Sequence, residues 1–188
     1  MDILKAYRPI FFRTFPWTYL ESFTSLEDFT FIDGSLSAIG ADIPWCPTVE
    51  AIHMQRNPLI ISIGSNAFKH ATHLKQLNMW DMGPEVVINE NAFRISTQDK
   101  PVLRYNGEGC SASEIAENAF GNVAGGQLWG SISVDWCDFP ELTFRLMLKT
   151  AFDKGLHGTY NYYTYPLTST VVQVQHNKKV STLFYVFS

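Results

Sequence analysis

One hexapeptide pattern occurs three times in this chain: IGSNAF from Ile63 to Phe68, INENAF from Ile88 to Phe93, and IAENAF from Ile115 to Phe120. The copies share the form IxxNAF, and their spacing of about 25 residues is that of a structural repeat, not of a catalytic motif. A unit of this length cannot bury its apolar face alone, so neighbouring units must stack into one continuous core.

The residues before each copy carry a second pattern. Val49 to Leu59 reads LxxLxLxxNxL with apolar replacements, Val49, Ile52, Met54 and Leu59 filling the apolar places and Asn57 the ninth. A short strand places positions 4 and 6 on its inner face and points position 5 outward. An asparagine at position 9 can satisfy backbone groups where the chain leaves the strand, since such groups are not left unpaired when buried. Phe68 then closes the return side of the coil.

The skeleton continues in both directions. Leu74, Leu77 and Met79 begin the next unit, where Met82 replaces the asparagine and Gly83-Pro84 turns the chain. Leu103 and Tyr105 take the strand positions before the third hexapeptide. Upstream, Leu26, Phe29, Phe31, Gly34 and Leu36 fit the same places, and Trp45 falls where Phe68 stands one unit later. Leu4, Ala6 and Leu20 extend the pattern to the first residues, so that the chain would start inside a repeat.

Downstream, Trp129, Ile132 and Val134 mark another strand, with Cys137 at position 9. Asp138-Phe139-Pro140-Glu141 has a capping acid, an early proline and a glutamate three residues after the cap, which predicts a helix from there to Phe152. Tyr160, Tyr162, Tyr165 and Leu167 fit a last unit. Val171 to Gln175 and Thr182 to Phe187 read as a β-hairpin that caps the open end.

These motifs resemble the leucine-rich repeat family over residues 20 to 168. The resemblance implies an α/β solenoid of about six units, with short parallel strands on a concave face and loops and short helices on the convex side. The whole chain, residues 1–188, is expected to be one domain, with 170–188 a hairpin cap or a divergent tail. The NAF repeats, the stretch WCDFPELTFRLMLKTAF and then GTYNYYTYPLT resemble a narrower group. These are secreted arthropod leucine-rich repeat proteins similar to the non-catalytic subunit of Oplophorus luciferase. In that group a final asparagine-proline-leucine turn leads into a cysteine-rich cap. Here Tyr165-Pro166-Leu167-Thr168-Ser169 carries tyrosine for the asparagine and serine for the first cap cysteine, a departure that puts the disulfide cap in doubt. This second resemblance implies an extracellular protein without catalysis of its own, serving as a stabilising subunit of a secreted enzyme complex.

Composition narrows the function classes. The net charge of −4 comes without a basic cluster able to track a phosphate backbone, so no nucleic acid partner is expected. No apolar run reaches the roughly 20 residues of a membrane span. The first residues, with Lys5 and Arg8, carry no readable signal peptide. His70 and His73 lack neighbouring ligands for zinc, and the glycine-rich run 121–126 lacks the lysine of a phosphate loop. The pairs Asp135 with Asp138 and Glu114 with Glu117 read as solvated or capping acids, so neither an enzyme nor a cofactor or metal is expected. Cys110 and Cys137 fall in consecutive units and are either a disulfide or two buried thiols, and Cys46 reads as a small buried apolar group.

Function is therefore sought on the strands. Outward positions 5 and 7 of successive units stack into two columns on the concave face. The first is Thr30, His53, Asn78, Arg104, Ser133 and Asn161, and the second is Ile32, Gln55, Trp80, Asn106, Asp135 and Tyr163. Aromatic residues and arginine set among small polar groups have the composition of a binding hot spot. The expected partner is a protein, contacted by His53, Gln55, Asn78, Trp80, Arg104, Asn106, Ser133, Asp135, Asn161 and Tyr163.

Overall fold

A computed structural model describes residues 2–7, 13–97, 101–106, 114–116, 119, 131–135, 159–163 and 174–175. Within them the chain is a parallel β-solenoid built from two sheets. The larger sheet has eight strands: β1 (Asp2–Tyr7), β2 (Leu26–Ile32), β4 (Ala51–Asn57), β6 (Gln76–Met82), β8 (Val102–Asn106), β10 (Ser131–Asp135), β11 (Thr159–Tyr163) and β12 (Val174–Gln175). They lie side by side in that order. The smaller sheet consists of the two-residue strands β3 (Ala38–Ile39), β5 (Ser62–Ile63), β7 (Val87–Ile88) and β9 (Glu114–Ile115). All neighbours are parallel except β12, which runs antiparallel to β11.

Four turns among the described residues thus carry a strand in both sheets, where the family resemblance implies about six units with loops and short helices on the return side. The α/β description is corrected accordingly. The only helix among the described residues is a 3₁₀ segment from Trp17 to Ser22. The hexapeptide explains why strand replaces helix on the return side. Its β-branched isoleucines Ile63, Ile88 and Ile115 pair across coils, and Ile39 extends the row one coil earlier, with Gly64 N–H donating to Ile39 O at 2.9 Å and Asn89 N–H to Ile63 O at 3.1 Å. Asn66 and Asn91 then adopt φ of 55°, a left-handed conformation that stops any helix from propagating and that asparagine tolerates better than most residues.

The core lies between the two sheets. Phe29 and Phe31, Ile52 and Met54, Leu77 and Met79, and Leu103 and Tyr105 point inward from the large sheet, as the strand pattern requires. Leu4 and Ala6 of β1 pair with Phe29 and Phe31, and Leu20 is buried in the 3₁₀ turn, so the first unit follows the pattern too. On the return side Trp45, Phe68 and Phe93 form a ladder of rings, with centroids 6.1 Å and then 6.0 Å apart. The Trp45 indole N–H donates to Ala67 O at 2.7 Å, which fixes the first rung.

Asn57 fills its expected role: fully buried, it donates through Nδ2 to Phe31 O at 3.2 Å and Gln55 O at 3.0 Å. Gly34 holds the corresponding place one coil earlier, where a Cβ would collide with the Phe31 ring and the Asn57 amide oxygen. Leu59 departs from expectation, being 51% exposed while Ile60 is buried. Pro58 and Leu59 form a turn closed by Ile60 N–H to Asn57 O at 3.1 Å, which moves the inward position on by one residue.

Other expectations fall outside the described residues. These are the helix from Asp138 to Phe152, the hairpin partner from Thr182 to Phe187, and Cys110 and Cys137. Cys46 is buried and unbonded to another cysteine, its Sγ lying 3.0 Å from Thr48 Oγ1.

Candidate interaction face

The two columns are realised by strand register. Thr30 pairs with His53, His53 with Asn78, Asn78 with Arg104, Arg104 with Ser133, and Ser133 with Asn161. The second column runs from Ile32 to Gln55, to Trp80 and to Asn106, and Asp135 pairs with Tyr163. All ten residues singled out in the sequence therefore lie on strands of the large sheet. The backbone alone is described for Asn106, Ser133, Asp135, Asn161 and Tyr163.

Within the first column the side chains close on one another. His53 Nδ1 and Asn78 Nδ2 are 2.8 Å apart, the amide N–H donating to the ring nitrogen. Thr30 Oγ1 donates to Asp28 Oδ1 at 2.8 Å. Asn78 is only 7% exposed, and its Oδ1 has no hydrogen-bond partner. Strands about 4.8 Å apart bring each side chain against its neighbours in the row, which shields a short residue between longer ones. The sequence pattern marks position 5 as outward but does not reveal this shielding.

Trp80 stands out from the second column at 46% exposure, the largest apolar side chain open to solvent on the large sheet. Gln55 beside it is half-buried, and Arg104, one strand on from Asn78, is exposed. No described carboxylate forms an ion pair with Arg104.

A charged row at the ends of the strands escaped the sequence reading. Asp33, Arg56 and Asp81 occupy equivalent places in three successive coils, all at positive φ. The Arg56 guanidinium grips both Asp33 carboxylate oxygens, with Nη2 to Oδ2 at 2.9 Å. The hydrogen bond to Asp33 raises the Arg56 pKa above its ordinary value, partly offset by desolvation and helped by the charges of Asp33 and Asp81. Acid, base, acid at one repeat position was the available signal.

His53 bonds an amide and not a hydroxyl, thiol or carboxylate, which suits recognition better than proton transfer. His73 Nδ1 lies 2.6 Å from Pro47 O, and His70 is exposed on the same connector. No three potential metal ligands cluster among the described residues, and no described helix is long and apolar enough to cross a membrane. Compared with protein-family models, curated proteins and solved structures, the chain matches none of them.

Proposed function

We propose that this chain is a non-catalytic protein-interaction module of the leucine-rich repeat kind, which binds a protein partner through the outer face of its large sheet. The observation that carries this reading is the in-register pair of columns, which sets exposed Trp80 and Arg104 beside Gln55, Asn78 and His53 on one stiff surface. Trp and Arg dominate hot spots because they combine large contact area with directed bonding, and a sheet face holds them without further ordering cost. No cofactor, metal or nucleic acid enters this reading.

The narrower resemblance supports a second reading, in which the module is extracellular and serves as a stabilising subunit of a secreted enzyme complex. One experiment separates binding from a purely structural role. Wild type and a Trp80→Ala, Arg104→Ala double variant are used as bait, and the melting of each is measured. Partner loss with unchanged melting supports the binding reading, while undiminished capture by the double variant rejects it.

A further inference from the structure

We propose that His53 and Asn78 form a pH-sensitive switch on the outer face of the large sheet, in which proton uptake by the His53 ring turns the Asn78 side-chain amide over. The inference concerns the free chain and stands whether or not the face binds a protein.

The pair sits where β4 and β6 run in parallel register, with His53 opposite Asn78. Asn78 Nδ2 donates to His53 Nδ1 at 2.8 Å, so Nδ1 carries no proton in this arrangement. A proton on Nδ1 makes it a donor as well, and two N–H groups then point at each other across that distance. The ring nitrogen now needs an acceptor, and the nearest is the other end of the same amide. Turning the amide over about its terminal torsion, which in asparagine is broad and roughly two-fold, presents Oδ1 to Nδ1–H.

The turn breaks little. Asn78 Oδ1 is buried without a hydrogen-bond partner, so reversal forfeits no bond beyond the one the proton has already removed, and it exchanges one unpartnered end of the amide for the other. Water cannot relieve the clash in place, because Asn78 is only 7% exposed. Asn57 is the opposite case. Its Nδ2 holds both Phe31 O and Gln55 O, and turning its amide would lose both bonds.

Few charges face the ring. On β2, Thr30 lies opposite His53, and Asp28 is two residues earlier on the same side, its carboxylate accepting the Thr30 hydroxyl. The neighbours of His53 on β4 are Ala51 and Gln55, and Asn78 on β6 is flanked by Gln76 and Trp80, none of them charged. Lys5 on β1 and Arg104 on β8 each lie one strand further out. Asp28 favours the protonated ring and the two cations oppose it, which sets where the switch turns but not which way. On the acid side the column gains a cation at His53, with the reversed amide between it and Arg104.

The test is a pH titration of the isotope-labelled full chain followed by NMR, in wild type, His53→Gln and Asn78→Asp. The inference predicts a nitrogen–nitrogen coupling across the hydrogen bond from Asn78 Nδ2 to His53 Nδ1 at alkaline pH, lost as the ring takes up its proton. The Asn78 amide resonances should shift with the same midpoint as the His53 ring carbons, and that shift should vanish in His53→Gln. Asn78→Asp offers the ring only acceptor oxygens, so its His53 midpoint should rise by about one pH unit or more. A coupling present at every pH or at none overturns the inference, as does an Asn78 shift that persists in His53→Gln. So does an Asn78→Asp midpoint no higher than that of wild type, or a ring that takes up no proton while the chain is folded.

Discussion

The rings of Phe68 and Phe93 stack one coil apart with centroids 6.0 Å apart and planes 2° from parallel. Each closes a hexapeptide, so the stack transmits the register of one return turn to the next. Both are buried, and truncation of either opens a cavity between coils. Phe68→Ala should destabilise the chain by about 3–5 kcal/mol, read as a fall in the denaturation midpoint, while Phe68→Leu should lose less than half of that.

Asn57 ties the end of one strand to the coil before it. Asn57→Ala leaves the Phe31 and Gln55 carbonyls without their side-chain donor and should cost about 1–3 kcal/mol. Gly34→Ala should cost a similar amount, about 1–3 kcal/mol, by overpacking against Phe31 and the Asn57 side chain. In the double variant the Gly34→Ala penalty should shrink, because the Asn57 amide that the new methyl strikes is gone. Chemical denaturation of the two single variants and the double variant reads this coupling.

The hexapeptide asparagine is a backbone device. Asn66 sits at φ 55°, so Asn66→Ala should cost about 1–2 kcal/mol, whereas Asn66→Gly should remain close to wild type. Equal losses for alanine and glycine would place the value of Asn66 in its side-chain contacts instead.

Particular residues show what the sequence made legible. Ile63, Ile88 and Ile115 share one repeat position, and they pair across coils because equal spacing along the chain becomes equal height on the solenoid. Asn57 and the two outward columns were readable for the same reason, since period two on a strand decides which side a residue faces. Leu59 was not readable, because the pattern assigns position 11 to it while the Pro58-Leu59 turn inserts a residue locally. The family pattern implies loops and short helices on the return side, whereas the local signal for strand is the β-branched isoleucine followed by an asparagine suited to positive φ. The shielding of Asn78 depends on which side chains flank it in space, which spacing alone does not encode.

Tyr105 is buried at an inner position of β8, its ring edge-on to Phe93 with centroids 6.4 Å apart. Burial holds its phenol well above the usual tyrosine range. The folded chain therefore binds this proton more tightly than the unfolded chain does. The resulting stability is fully present below the unfolded value of about 10 and is lost as pH rises from there toward the folded value. Denaturation midpoints from neutral to strongly alkaline pH should fall less steeply for Tyr105→Phe than for wild type, and equal slopes would contradict the assignment.

The most direct test of the binding face is a hydroxyl-radical footprint of the chain alone and with its captured partner, comparing Trp80 with Tyr19, which lies on the 3₁₀ segment away from the large sheet's columns. Both rings are open in the free chain, at 46% and 66%. The account predicts that partner binding lowers the oxidation of Trp80 severalfold and leaves Tyr19 unchanged. Protection of Tyr19 with Trp80 still fully reactive would contradict it.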